Sequence, residues 1–348
     1  MLNLIRNFIQ LFAVQTTTMN STGNDLSPEM KTFYDKALLY AAQPHLVHHQ
    51  FGQKRNIPKN GGKTIEFRKF TPLAKALTPL TEGVTPAGNQ LDVTSLTATV
   101  AQYGDFITLS DLLDLTAIDN VVVETTRLLG DQAGVTMDTV VRNALVQGTN
   151  VMFAPKINAS TGAETAVTVR ANLDATAILT VDLLEQAVAT LRANNTPTFE
   201  DGKYHAIAHP YTIYTLRRDP DWLAPHREVD TNEIYSGEIG EIAGVKFFES
   251  TEAKIWYGTS SPNSCPSGLA VFGTLVFGRD AYGVTNVDGA GLETIVKQKG
   301  SAGTSDPLNQ RSSVGWKALE VAEILMQPYM LRIEHCNKRY SSIVTAPN

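Results

Sequence analysis

Three groups of residues in this chain are of types that do chemistry, and each sits in a context that limits it. Gly62-Lys63-Thr64 has the ending of a phosphate-binding loop, in which backbone amides and a lysine hold phosphate oxygens. That motif needs a glycine five places before the Gly–Lys pair, where this chain has Ile57. It also opens a helix, whereas the residues after Lys63 read as a strand. His45, His48 and His49 fall at the spacing of one helical face and could hold a metal. No His-Glu-x-x-His arrangement accompanies them and the predicted helix ends near Pro44, so surface or intersubunit histidines are the better reading. His205 and His209 straddle turn chemistry and read as packing or hydrogen-bonding residues. Asp219, Asp221, Glu228 and Asp230 are numerous enough for a carboxylate site. Trp222 and Pro225 among them favour a solvated or interface loop instead. There is no GxSxG elbow, no GxGxxG turn and no paired Cys/His nucleophile context. Cys265 and Cys336 lack metal spacing and read as reduced thiols. The sequence assigns no catalytic residue, no metal ligand and no cofactor.

Charge is patterned more than it is catalytic. Residues 54–75 hold Lys54, Arg55, Lys59, Lys63, Arg68, Lys69 and Lys75 against Glu66 alone, a local balance of +6. Residues 219–253 hold nine acidic side chains against Arg227 and Lys246, a balance of −7. Regions of opposite sign attract between copies of one chain. Lys54, Arg55, Lys63, Arg68, Lys69, Asp219, Asp221, Glu228 and Asp230 are therefore the candidate intersubunit contacts. Two unrelated solvated faces are the alternative, since exposed ion pairs contribute only about 0–1 kcal/mol each. A nucleic-acid role for the basic stretch, where Phe67 and Phe70 interleave, stays open without any recognised binding motif. The net charge of −6 argues against a protein that condenses nucleic acid as a whole.

These groups must be positioned by a scaffold whose outline is readable. The 348 residues are 43% hydrophobic and 18% charged, enough for two or three compact regions with real cores. No apolar run reaches about 18 residues, so no membrane span is expected. Met1–Val14 is apolar but carries Arg6 and Gln10 and lacks a small-residue cleavage site, so a secretory signal is not expected. Between Asp119 and Gln147, Val122, Thr126, Leu129, Ala133, Met137, Val140 and Ala144 recur at steps of three and four. That spacing predicts a helix of about 43 Å, at ~1.5 Å per residue. Asp119 would cap its start and Gly148 would end it in the left-handed conformation. Gly130 and Gly134, four apart, would let another backbone approach closely.

The remaining segments are shorter. After Val14 the start of the chain is polar and reads as an extended arm, and Ser27-Pro28 opens a helix with Phe33, Tyr34, Ala37, Leu38 and Ala41 on its apolar face. In residues 54–105, strands Lys63–Phe70 and Leu91–Ile107 flank a Pro/Gly-punctuated middle, predicting a long two-stranded flap. Half of its ladder is too polar for a deep core, and an isolated hairpin is only marginally stable in water, so the flap needs something to lie on. A helix is predicted at Val181–Ala193, strands at Tyr204–Ala208, Leu269–Phe277 and Ala281–Val287, and helical turns at Tyr211–Arg217. Ile239, Ile242, Val245, Phe247 and Phe248 are expected in a core, and Lys299–Ser313 in a loop. The apolar run Val314–Glu334 must be an edge strand or break at Pro328.

Several stretches carry a further signal in their joint order. They are Leu91–Asp111, with Ala98-Thr-Val-Ala-Gln-Tyr-Gly104; His209-Pro-Tyr with Leu216-Arg-Arg-Asp219; and Gly237-Glu-Ile-Gly-Glu-Ile-Ala-Gly-Val245 leading to Phe248-Glu-Ser250. Phe277-Gly-Arg-Asp-Ala-Tyr-Gly283 and Asp306-Pro-Leu-Asn-Gln-Arg311 through Val314-Gly-Trp-Lys317 add to these. Together they resemble the major capsid proteins of tailed bacteriophages with the Hong Kong 97-type fold, most closely the coat proteins of N4-like podoviruses. The resemblance implies an α+β, Hong Kong 97-like capsid fold with N-arm and first helix at 1–53 and an extended β-hairpin E-loop at 54–108. It places a P-domain at 109–197 with spine helix 119–147, an A-domain at 198–310, and a returning P-domain strand with C-terminal tail at 311–348. The hydrophobic Met1–Phe12 extension departs from the family pattern.

The function implied is a non-enzymatic coat subunit that self-assembles into hexamers and pentamers, forming an icosahedral shell around double-stranded DNA. Its partners would be itself, scaffolding, portal and decoration proteins, and packaged DNA contacted non-specifically, with no membrane. It would reside in the virion capsid and pass through the host cytoplasm during assembly. The rival readings are an encapsulin-like compartment holding cargo enzymes and, in a different class, a metal- or phosphate-binding enzyme.

Overall fold

A computed structural model describes residues 28–58, 62–70, 73, 75–80, 82–85, 88–116, 121–158, 160–222, 241–287, 291–301 and 306–348. In chain order these form α1 (Pro28–Ala42), β1 (Gln53–Ile57), β2 (Thr64–Phe70), β3 (Val93–Thr99), β4 (Ala101–Ser110), α2 (Asp111–Thr116) and α3 (Val121–Leu145). Next come β5 (Val151–Phe153), β6 (Lys156–Ile157), β7 (Glu164–Thr165), α4 (Val181–Ala193), β8 (Tyr204–Ala208) and α5 (Pro210–Leu216). The rest is strand: β9 (Glu241–Ile242), β10 (Val245–Glu249), β11 (Ile255–Trp256), β12 (Val271–Phe277), β13 (Tyr282–Val287), β14 (Glu293–Lys297), β15 (Arg311–Ile324) and β16 (Met330–His335). Among the described residues, no helix is long and apolar enough to cross a membrane.

The chain divides into two compact units. The first comprises Met1–Ala41, Gly104–Gly130 and Leu292–Lys317. Within it β14 pairs antiparallel with the start of β15, from Glu293↔Lys317 to Lys297↔Ser313. Here α1 crosses the start of α3 so tightly that a Cβ at Gly130 would lie 2.7 Å from the Leu38 carbonyl oxygen.

The second unit holds the remainder and the larger core. Its main sheet runs β5-β16-β12-β8-β10-β9, with β11 also on β12. All seven residues of β12 are buried, because both its edges are paired and both its faces are covered. Helix α4 occupies the range its periodicity predicts and inserts Leu183, Leu184, Ala187, Val188 and Leu191 into this core. Thr180 caps it, its Oγ1 accepting from the Leu183 amide at 3.3 Å. At about 25 cal/mol per Å² of apolar surface, such a face supplies most of the drive to hold the helix on the sheet. Cys265 and Cys336 are free thiols inside the same core. A second patch of this unit sets β13 between β1, in parallel, and the latter half of β15, antiparallel. A Cβ at Gly134 would come 2.5 Å from the Ala42 carbonyl oxygen, so the predicted glycine pair does admit a second backbone.

Several expectations change. The single strand expected at Leu91–Ile107 is two strands, because Val100 turns inward and donates its amide to the Lys63 carbonyl at 2.9 Å. From that point β3 pairs with β2 and β4 with β15. The apolar run after Val314 does break at Pro328, which sits in the 3-10 turn Gln327–Tyr329 and sends β15 and β16 into different sheets. Gly148 is not among the positive-φ residues, so it is no left-handed cap. A Cβ there would meet Met330 and Ile324 side chains at 3.2 and 3.3 Å, which is why glycine fits. Along α3 the buried stripe continues through Asp138, Val141, Arg142 and Leu145, leaving the expected Val140 and Ala144 half-buried. Asp119, Ser27 and Ile239 lie outside the described residues.

Candidate assembly surface

Strands β2 and β3 pair antiparallel over seven residues, from Thr64↔Thr99 to Phe70↔Val93. Cross-strand packing stabilises such a ladder only where one face is covered. That happens near the root, where Phe67 and Ala98 are buried. Phe67 lies against β13: a Cβ at Gly283 would come 2.8 Å from its ring. The Arg55 guanidinium stands 5.6 Å over the same ring. Further out Val93, Thr94 and Ser95 are exposed. Beyond the strands, Leu73, Leu77, Leu80, Val84 and Leu91 all face solvent, Leu77 at 82% and Leu80 at 77%. A run of large apolar side chains left in water is the mark of a surface that another molecule covers.

The candidate contact residues divide by environment. Lys54, Arg55 and Lys63 are exposed, and Arg68 is exposed with its Nε 3.8 Å from Glu66. Lys69 follows on β2. Asp221 is exposed, but Asp219 is engaged within its own chain: Oδ2 accepts from the Val181 amide at 3.1 Å and Oδ1 from the Asp221 amide at 3.0 Å. Glu228 and Asp230 lie outside the described residues.

The histidines do not share a helical face, because α1 ends at Ala42 and the chain turns. His48 is interior rather than at a surface: its Nδ1 lies 2.6 Å from Asp138 Oδ2, and its amide donates to Oδ1 at 2.6 Å. His45 lies 3.6 Å from Asp131, and His49 lies 3.3 Å from Glu320. Each imidazole has its own carboxylate, and among the described residues no three His, Cys, Asp or Glu side chains gather as a metal site.

Asp138 organises this interior. The Tyr282 hydroxyl donates to the His48 carbonyl, and burial with the Asp138 charge holds that phenol well above its usual pKa. Burial first, and the Asp138 charge second, push the Glu320 carboxyl up to about 8. Burial, assisted by Lys54, lowers the His49 imidazole. The raised Glu320 carboxyl faces the lowered His49 imidazole, and among the described residues no nucleophile stands beside them. The arrangement locks the turn at residues 46–50 onto α3, and its one sequence signal is an acidic residue on an apolar stripe. His205 stacks on Phe199 at 3.8 Å and meets Asp201 at 3.0 Å, a packing and hydrogen-bonding role as expected. His209 Nδ1 accepts from the Tyr211 amide at 3.2 Å, which fits a pKa pushed down to about 4 by burial.

A family model described as phage capsid protein matches residues 93–325. The chain belongs to the phage capsid protein family. It is a major capsid protein, a structural subunit of a shell and not an enzyme. No sequence match to a curated protein is found. The capsid protein's fold is similar to that in the capsid of cyanophage P-SCSP1u, at 14% identity and TM-score 0.64 over 84% of this chain and 88% of that one. It is similar to the capsid of Ralstonia phage GP4, at 13% identity and TM-score 0.63 over 84% and 88%. The cyanophage Pam1 capsid matches at 15% identity and TM-score 0.62 over 93% of this chain and 98% of that one.

Proposed function

We propose that this capsid protein is a Hong Kong 97-type coat subunit of the N4-like podovirus group, closing as hexamers and pentamers into an icosahedral shell around double-stranded DNA. Residues 54–108 act as its E-loop, 109–197 as a P-domain with α3 as spine, 198–310 as the A-domain, and 311–348 as the returning strand and tail. Residues 1–53 supply the N-arm and first helix. The observation that carries this reading is the hairpin: anchored by Phe67 at its root, it continues into exposed Leu73, Leu77, Leu80, Val84 and Leu91. Each of these laid on a neighbour removes apolar surface from water at ~25 cal/mol per Å². Lys54, Arg55, Lys63, Arg68 and Lys69 on one copy attract Asp221, Glu228 and Asp230 on the next, and salt screens that attraction. Assembly proceeds in the host cytoplasm with scaffolding, portal and decoration proteins.

Expression of the full chain, with size-exclusion chromatography and negative-stain imaging, tests the proposal. Closed particles with hexameric and pentameric units are expected. A compact monomer whose 71–92 segment resists protease would overturn it. Particles that copurify with enzyme cargo would mark an encapsulin-like compartment.

A further inference from the structure

We propose that a cavity of about 430 Å³ between the segment leading into α4, the C-terminal end of α5 and the turn after β16 is a phosphate-binding pocket that takes a phosphodiester of nucleic acid. Its basic lining is Arg218, Lys338 and Arg339, which are exposed and, among the described residues, ion-paired with no carboxylate. Thr180 and Tyr214 add hydroxyls to the same wall, while the Thr215 hydroxyl on it donates to the Tyr211 carbonyl at 3.0 Å. The volume falls within the ~300–1,000 Å³ range of small-ligand sites and has room for a nucleotide unit.

Structure orients Arg218 and anchors the turn that carries Lys338 and Arg339. Arg218 lies 4.5 Å over the Tyr214 ring, which orients its guanidinium. Tyr340 stacks on Tyr211 at 4.0 Å and meets Tyr214 edge-on at 5.7 Å, fixing the Lys338–Arg339 turn against α5. That turn is closed by the Asn337 amide donating to Ser341 Oγ at 2.7 Å. Among the described residues Asp219 is the one opposing charge on the wall, and backbone amides already occupy both its oxygens. The first turn of α4 is capped by Thr180 and Asp219, so side chains rather than the helix end must hold the anion. Guanidinium forks pair bidentately with phosphate oxygens, and the ammonium and hydroxyls can meet the remaining ones. In a chain of net charge −6, contact with nucleic acid also requires a local reversal of sign, which this pocket provides.

The assignment rests on the shell reading only for the origin of the nucleic acid. Its test is fluorescence anisotropy of a labelled short duplex DNA with the full chain, across a salt series, with inorganic phosphate as competitor. Emptying the pocket in Arg218→Ala/Lys338→Ala/Arg339→Ala removes one phosphate contact and should make the log–log salt slope shallower by about 0.9. Competition by inorganic phosphate should vanish in that variant, while Arg218→Lys alone should keep most of the slope. An unchanged slope in a variant with a wild-type melting curve would overturn the proposal. So would unchanged DNA binding with lost association between subunits, since the occupant would then be an acidic segment of another copy. Failure of the chain to form particles would count against the shell reading and leave the binding result standing.

Discussion

Strand β12 and the β2–β3 hairpin are both runs of seven paired residues, yet they live in opposite surroundings. β12 is paired on both edges and buried throughout, so its unit completes it. The hairpin buries Phe67 and Ala98 and leaves most of its ladder and the segment beyond it in water. The first is a core held by its own chain. The second has the composition of a surface that a shell subunit offers to its neighbours. On the proposed reading of the hairpin, stability of the subunit and stability of the shell reside in different residues, and substitutions should separate them.

The largest loss of subunit stability should follow Phe277→Ala, which empties a fully buried site at the end of β12. We expect about 3–5 kcal/mol in chemical denaturation of the dissociated subunit. A cost under about 1 kcal/mol would mean that β12 is not the centre of its core. Next comes Gly134→Ala, whose Cβ would lie 2.5 Å from the Ala42 carbonyl oxygen. Backbone must shift there, at roughly 1–3 kcal/mol, read from the same denaturation curves.

The third effect depends on pH. The Glu320 carboxyl, with His49 and Asp138 as its titratable neighbours, holds its proton up to about 8 when folded, against 4.5 as its ordinary value. Folding therefore favours the protonated form. That contribution is complete below about 4.5 and is lost as pH rises through about 8. The melting temperature of the wild-type subunit should fall between pH 7 and 9 more steeply than that of Glu320→Gln. Parallel curves would show that this carboxyl is ionised in the fold. The smallest effect on the subunit is expected for Leu77→Ser/Leu80→Ser, within about 0.5 kcal/mol because both side chains are exposed. Particle yield by electron microscopy should nevertheless drop sharply. Normal yield would remove the hairpin's extension from the contact surface.

Much of the scaffold was legible in the residues. The three-and-four spacing located α3, whose described residues Val121–Leu145 fall within the expected range and end two residues before Gln147, and the apolar face of Val181–Ala193 gave α4. Gly130 and Gly134 announced a close backbone approach, and Pro328 announced a break. What the hairpin lacks was also readable, since a polar ladder beside an apolar, Pro/Gly-punctuated segment has no core of its own. The split at Val100 was not readable: which of two ladders a β-prone residue joins is settled by partners far along the chain. His48 looked like a surface histidine because Asp138, 90 residues away, supplies its environment.

The sequence by itself determined the repeating elements, because helical and strand periodicities are written into neighbouring residues by backbone hydrogen bonding and side-chain direction. Only the tertiary structure decided which charges are silent and which are offered. Asp219 is consumed by the start of α4, Asp138 sits beneath a histidine, and Arg218, Lys338 and Arg339 converge on one cavity from distant parts of the chain. Burial and electrostatic partnership are properties of surfaces brought together by folding, and no local pattern encodes them.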